Sequence, residues 1–99
     1  MPQVSLNGHV TDVHSLFLPG AGIASVGNFT IGGIAPLRVG DEISTHVLST
    51  DPKVKHEKIT VAAGSGSFSI GGKAVARIGD ACGCGAKMAQ GFSAFTAGG

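Results

Sequence analysis

The sequence has no tryptophan or tyrosine, and only five of its 99 residues are phenylalanine. Bulky side chains that could fill a core are therefore scarce, and a chain this short buries a smaller fraction of its surface than a larger domain does. Seventeen glycines raise the entropic cost of ordering the backbone. We expect one small domain over residues 1–99, with a thin core that needs a metal, a covalent link or a partner for stability.

An excess of charge of one sign is also missing, since the formal net charge is +1. No cluster of lysine and arginine could neutralise a run of phosphates, which argues against nucleic acid as a ligand. No apolar run approaches the roughly 20 residues that a membrane-spanning helix needs. The N-terminus MPQVSLNGHV has no basic segment followed by an apolar stretch. We expect a protein made in the cytoplasm without a signal peptide.

Cysteine is almost absent as well, because the chain has only Cys82 and Cys84, separated by one glycine. Two cysteines this close rarely reach the geometry of a disulfide. Metal ligation or free thiols are therefore the favoured interpretations of this pair.

What the sequence does have is a repeat. Residues 27–41 read GNFTIGGIAPLRVGD and residues 66–80 read GSFSIGGKAVARIGD, with nine identities in fifteen positions. The C-terminal SAFTAGG at 93–99 matches the first half of this unit, and VSLNGHVTDVH at 4–14 resembles its continuation. The sequence thus predicts three copies, at 27–46, at 66–84, and a split copy made of 93–99 plus 4–14.

The split copy carries geometric information. A half-repeat at each terminus makes a complete unit only if the two ends of the chain lie side by side. Complete repeats could stack in a line as a solenoid, whereas a split copy predicts a closed, pseudo-threefold arrangement.

Each copy has the pattern of a short hairpin. Phe29 and Ile31, like Phe68 and Ile70, alternate with small polar residues, which is the period of a half-buried strand. A Gly-Gly pair then marks a tight turn, and a second alternating segment ends in Gly-Asp. The sequence therefore predicts an all-β domain, with connections at 15–26, 47–65 and 81–92, of which 49–58 is expected to be the most exposed loop.

The histidines and cysteines follow the repeat. His14, His46 and Cys84 each come four or five residues after the Gly-Asp position of their copy, so a threefold body would bring them to one point. Histidine and cysteine are good zinc ligands, and a tetrahedral ion needs a fourth donor. We select His56 as that donor and keep His9 and Cys82 as reserves, so that the candidate metal ligands are His14, His46, His56 and Cys84.

Other functions remain open at this point. A site with three protein ligands and one water would resemble a catalytic zinc centre, with Glu57 as the nearby carboxylate that could act as a base. A small metal-binding or redox module using Cys82 and Cys84 is the other alternative. Arg38 and Arg77, each three residues before an aspartate, fit structural hydrogen bonds at a turn better than an anion site.

The segments GGKAVARIGD (71–80) and GGIAPLRVGD (32–41) resemble the signature of PAAR-repeat proteins. This resemblance implies a small conical β-structure, without enzymatic activity, that caps the trimeric β-helical spike of a phage tail or a type VI secretion system. It also implies a metal near the apex, usually zinc, although another transition metal such as iron is possible. Carried over to this sequence, the ligands would be His14, His46, His56 and Cys84.

The resemblance and the repeat suggest the same partner. A trimeric spike presents three equivalent strand ends, and one chain with three similar edges could cover them as one cap per trimer through backbone pairing. The apolar residues expected at this contact, if they do not fill the domain's own core, are Phe29, Ile31, Phe68, Ile70 and Phe95. No small-molecule substrate is implied. The cap would reach the target cell envelope on the spike and touch its membrane transiently.

Overall fold

The computed structural model describes residues 2–13 and 17–98, and these residues form an all-β fold, as predicted. Within those two ranges no helix occurs, so none could cross a membrane. The strands are β1 (Gln3–Val4), β2 (Gly22–Ile23), β3 (Glu42–Ile43), β4 (His46–Leu48), β5 (Asp51–His56), β6 (Ile59–Thr60), β7 (Ser69–Ile70), β8 (Lys73–Ala74) and β9 (Phe92–Thr96). They are short because each copy contributes only a hairpin and its turns.

A ring of three backbone hydrogen bonds lies at the centre of the domain. Ser5 N–H donates to the Ala76 carbonyl at 2.9 Å, and Ala76 N–H donates to the Leu37 carbonyl at 2.8 Å. Leu37 N–H then donates to the Ser5 carbonyl at 2.9 Å, which closes the circle. These residues occupy the same position in the three copies, and all three are fully buried. The chain therefore has the pseudo-threefold closure that the split copy predicts.

A second set of bonds links the same three segments. Each copy again donates one backbone N–H to a neighbouring copy, and the three distances lie close together. The bonds are Asn7 to Ala35 at 2.8 Å, Val39 to Ala74 at 2.8 Å, and Ile78 to Gln3 at 2.9 Å. Their pairing satisfies backbone polar groups beside the ring.

The two ends of the chain pair with one another. Strand β1 runs antiparallel to β9, with Gln3 opposite Thr96 and Val4 opposite Phe92. The register shifts between these two pairs, so β9 carries a bulge. Residues from opposite ends of the sequence thus form the paired strands of the split copy, in the place that a hairpin takes in the other two copies.

Glycine pairs make the hairpin turns. Gly32 and Gly33 both have positive φ, at 60° and 85°, a combination that a two-residue type I′ turn requires and that glycine adopts without strain. Ile31 and Ile34 exchange backbone hydrogen bonds across this turn at 2.8 and 3.2 Å. The second copy repeats the arrangement between β7 and β8, where Ile70 faces Lys73.

The Gly-Asp turns are closed by their own aspartates. Asp41 N–H donates to the Arg38 carbonyl at 3.0 Å, and the Asp41 carboxylate accepts from Arg38 N–H at 2.8 Å. Arg77 and Asp80 make the same two bonds. Each carboxylate therefore fixes the turn that precedes the next segment.

Both arginines extend from these turns to the next hairpin. The Arg77 guanidinium forms an ion pair with Asp80 at 3.0 Å and donates to the carbonyls of Ala97 and Gly98. Arg38 donates to the Ile70 carbonyl at 3.0 Å. The structural role expected for these arginines is what the contacts show, since each one ties a turn to the hairpin of the following copy.

Two separate clusters of apolar side chains form the core. The first consists of Leu37, Ile43, Val61, Ala76, Cys82 and Met88. The second consists of Val4, Leu6, Ile31, Val75 and Ala97, with four half-buried residues packed on it: Phe68, Ile70, Phe92 and Phe95. Neither cluster is large, in agreement with the thin core that the composition predicts.

One sequence prediction about the connections is wrong. The segment 47–65 is not a simple loop, because it contains most of β4, all of β5 and β6. Residues 49–58 are mostly exposed, as expected, but β5 pairs with β4 as a hairpin. The sequence of this segment shows no alternation of apolar and polar residues, because a two-stranded hairpin that is largely exposed to solvent needs no apolar face.

Candidate metal centre

A single hairpin delivers two of the predicted ligands. Strands β4 and β5 run antiparallel with His46 directly opposite His56. Opposed residues of an antiparallel pair have neighbouring side chains, so the two imidazoles lie side by side although nine residues separate them in the sequence. His46 is 5% exposed, and His56 is half-buried.

The His46 ring has a defined orientation. Its Nδ1 lies 2.9 Å from the Ser44 carbonyl. A carbonyl only accepts, so Nδ1 carries the proton and Nε2 offers a lone pair. His56 Nδ1 lies 3.2 Å from this Nε2. A hydrogen bond from one ring nitrogen to a backbone carbonyl is how metal-binding histidines are commonly held.

Cys84 reaches the same place from a distant part of the chain. Its Sγ is 3.7 Å from His46 Nε2, and the ligand atoms of His46, His56 and Cys84 all lie within 4.8 Å of one another. The turn that contains it, residues 82–85, is tight, since Gly85 has φ of 92° and its N–H donates to the Cys82 carbonyl at 3.0 Å. This turn directs Cys84 towards the histidines.

The two donor separations that involve His46 Nε2 agree with a tetrahedral ion. Zinc bonds of about 2.0 Å to nitrogen and 2.3 Å to sulfur place two nitrogens about 3.3 Å apart and a nitrogen and a sulfur about 3.5 Å apart. The separations here are 3.2 Å and 3.7 Å. The donor set, two imidazoles and one thiol, is also the chemistry that zinc selects. His46, His56 and Cys84 therefore form a possible metal site.

The predicted reserve ligands lie elsewhere. Cys82 is buried in the first core cluster, with its Sγ 3.9 Å from the Met88 Sδ. Burial, aided by the neighbouring Cys84, raises the pKa of Cys82 to about 11, so its thiol stays protonated at neutral pH. His9 closes a turn, because its Nδ1 accepts from Leu6 N–H at 2.9 Å.

This contact explains why His9 stands where the other copies have aspartate. Its ring nitrogen performs the same hydrogen bond as the carboxylates of Asp41 and Asp80. Burial lowers the pKa of His9 from 6.5, which keeps the imidazole neutral and able to accept.

His14, the remaining predicted ligand, lies outside the described residues. Its role as a metal ligand stays a prediction. Phe17 lies three positions after His14 in the sequence. The sequence did not predict a role for it at this site. Phe17 stacks on His56 with ring centroids 3.6 Å apart. The repeat could not have predicted Phe17, because the matching position after the copy at 27–46 is Ser49.

The residues predicted to contact a partner gather in a different place. Phe29, Phe68 and Phe95 form a chain of aromatic contacts, with centroid distances of 6.3 Å and 5.7 Å. Phe29 is 38% exposed, whereas Ile31 is only 6% exposed and belongs to the second core cluster. The phenylalanines thus serve the core in part and the surface in part.

Glu57, considered as a general base, lies on the surface. Its carboxylate is paired with the Lys55 ammonium at 2.9 Å, and about half of each side chain is exposed to solvent. The carboxylate thus has a cationic partner beside it.

The fold and site define a small pseudo-threefold β-domain with a candidate His-His-Cys metal centre. The family model for the PAAR motif matches residues 7–90 of the chain. The protein belongs to this family, and the resemblance noted in the sequence is confirmed. A search of curated proteins found no match. Membership implies a spike-tip role in contractile injection or type VI secretion systems.

Proposed function

We propose that this protein is the metal-stabilised tip of a membrane-puncturing spike, and that one copy caps the end of a trimeric β-helical spike protein. It acts without catalysis, it assembles at the end of a phage tail or a secretion spike, and it is carried to the envelope of the target cell, where it contacts the membrane briefly.

The observation that carries this proposal is the closed ring of backbone bonds among Ser5, Leu37 and Ala76. Through it a single chain presents three copies of one hairpin unit around one axis. A symmetric trimer offers the same surface three times, and a monomer can match it only if the monomer repeats its own surface three times. Family membership supplies the kind of partner.

The aromatic triad of Phe29, Phe68 and Phe95 supports the location of the contact. These residues hold the same position in the three copies and lie next to one another. Phe29 and Ile34 are 38% and 44% exposed, so the first hairpin offers apolar surface to a partner. Burying such surface contributes about 25 cal/mol per Å².

The metal has a structural role in this proposal, and we assign it as zinc. The ion would join β4 and β5, through His46 and His56, to the turn that carries Cys84. The β4–β5 hairpin is far from this turn in sequence, and it contributes no residue to the two small core clusters. Structural zinc supplies on the order of 10 kcal/mol to small domains, which would hold this part of the tip together.

The test is a binding experiment with a truncated trimeric β-helical spike protein. Native mass spectrometry of the mixture should show one copy of this protein per trimer. Three copies per trimer, or no complex, would overturn the cap. The metal content of the complex, measured on the same sample, should be one ion per cap.

A matched pair of variants locates the contact. Phe29→Asp places a charge on the aromatic triad, and we expect it to weaken spike binding by about 10-fold or more, since hot-spot changes cost over about 1–2 kcal/mol. Val54→Asp changes an equally apolar residue that is 44% exposed on β5 and should leave binding unchanged. Equal loss in both variants would place the contact elsewhere.

A further inference from the structure

We propose that Phe17 is a positioning residue of the metal centre, which holds the His56 imidazole in the orientation that a metal ion needs. This inference rests on the proposed metal site and adds to it a residue that is not a ligand. No donor atom is available on a phenylalanine, so any effect of Phe17 on metal binding must pass through the residues that it contacts.

The ring of Phe17 lies flat on the ring of His56. Their centroids are 3.6 Å apart and the planes differ by 14°. The same ring presents its edge side to His46, at 6.2 Å and 84°. One aromatic side chain thus contacts both imidazoles, His56 face to face and His46 at nearly a right angle.

The backbone of this segment is fixed beside the hairpin. Phe17 forms an antiparallel bridge with Leu48, and Leu18 N–H donates to the Val47 carbonyl at 2.9 Å. The segment therefore lies along β4 on the side away from β5. The aromatic ring extends over β4 to reach His56, so its position is set by main-chain bonds and not by the ring contact alone.

His56 is the ligand that Phe17 contacts most closely. His46 is buried and its Nδ1 is bonded to the Ser44 carbonyl. His56 instead ends β5, whose other residues are all exposed. A side chain on an exposed strand samples several rotamers. A stacked ring restricts these rotamers and keeps Nδ1 directed at His46 Nε2 and Cys84.

The experiment measures metal binding by four variants of the full chain. Cobalt(II) serves as the probe, because its visible absorption bands report tetrahedral coordination, and zinc affinity is measured by competition with a chromogenic chelator. Phe17→Ala should weaken affinity about 10- to 100-fold, the range seen when supporting residues of metal sites are changed. Phe17→Tyr keeps the flat ring and should stay within about 3-fold of the original protein.

Two further variants serve as controls. Phe17→Leu keeps apolar bulk but removes the flat ring, so it should lose affinity in the same direction as Phe17→Ala, and it carries the test if Phe17→Ala does not fold. Phe29→Ala removes a phenylalanine that contacts Phe68 and not the histidines, and its metal affinity should be unchanged.

Three results would overturn the proposal. Phe17→Ala or Phe17→Leu with the affinity and cobalt spectrum of the original protein would show that the ring does not position His56. A loss in Phe17→Tyr as large as in Phe17→Ala would contradict a role for stacking. Absence of cobalt or zinc binding by the original protein would remove the metal centre together with this inference, while the spike-binding test would still decide the cap independently.

Discussion

Two regions of the molecule differ in how fully they keep the sequence repeat. The phenylalanine region comprises the Ile31–Ile34 hairpin, the Ile70–Lys73 hairpin, β9 and the second core cluster. It keeps the same turn and the same phenylalanine in successive copies. The metal-ligand region comprises Phe17, the β4–β5 hairpin and the turn of Cys84. It keeps the repeat in the positions of His46 and Cys84, whereas Phe17 and His56 have no counterpart of the same type in the other copies. One region is symmetric and the other is symmetric only in part.

The difference agrees with the binding partners that we propose for the two regions. A threefold partner selects for three equal surfaces, so changes in one copy that the others lack would weaken the match. A single metal ion needs one set of donors in tetrahedral positions, and three identical copies would supply only three equal ligands. Departure from the repeat allows His56 and Phe17 to be added where only one copy of each is needed.

The largest expected effect comes from breaking the metal-ligand region. Cys84→Ser should lose the bound metal and lower the melting temperature by more than about 15 °C, because structural zinc contributes several kcal/mol to a domain this small. Removal of the metal from the original protein by a strong chelator should produce the same drop. Metal content by inductively coupled plasma mass spectrometry and thermal unfolding check both expectations.

Cys82→Ala is the matched control for this prediction. It removes a buried thiol from the first core cluster, so it should retain one metal per chain and cost only about 1–2 kcal/mol. Metal lost from Cys82→Ala but kept by Cys84→Ser would reverse the assignment of the sulfur ligand.

A smaller effect is expected from the phenylalanine region. Ile31→Ala truncates a buried side chain of the second core cluster and should destabilise the domain by about 2–4 kcal/mol. The metal content should stay at one per chain, because this cluster shares no residue with the ligand set. Chemical denaturation and metal analysis of the same samples measure the two properties separately.

Ile34→Ala serves as the comparison on the other side of the same turn. Its side chain is 44% exposed, so the free energy of unfolding should change by less than about 0.5 kcal/mol. Loss of metal in Ile31→Ala would show that the two regions are coupled, against the separation seen in the core.

The smallest effect concerns the turn that His9 closes, where the other two copies have an aspartate. Burial lowers the pKa of His9 below 6.5 in the folded state, so below pH 6.5 the unfolded chain binds more protons at this residue. Its contribution is therefore complete above about pH 6.5 and is lost as the pH falls towards the folded pKa. The loss should be less than about 1 kcal/mol, the value of one partly exposed hydrogen bond.

His9→Asp tests this dependence, because a carboxylate can accept from Leu6 N–H as Asp41 and Asp80 do in their turns. The difference in unfolding free energy between the variant and the original protein should shift in favour of the variant between pH 7 and pH 5. A difference that stays constant over this range would exclude His9 as the source. Other titrating groups, including the metal ligands, are common to both proteins.

Much of the candidate site could be predicted because its donors are chemically distinctive. His46 and Cys84 are predicted from residue type and position in the repeat, and His56 as the fourth donor that a tetrahedral ion needs. The structure brings the three together. Phe17 could not be found, since a phenylalanine carries no ligand signal and its stacking depends on how residues 17–18 bridge β4. The β5 strand was missed because its sequence, DPKVKH, encodes no buried face.

The sequence by itself determined the turns and the number of copies. Gly-Gly and Gly-Asp specify their backbone conformations locally, through positive φ and a side chain that closes its own turn, and their recurrence counts the units. The tertiary structure alone decided the ring that joins Ser5, Leu37 and Ala76, the burial of Cys82 apart from Cys84, and the position of Phe17 over His56. Those features depend on contacts between residues far apart in the chain, which local sequence does not specify.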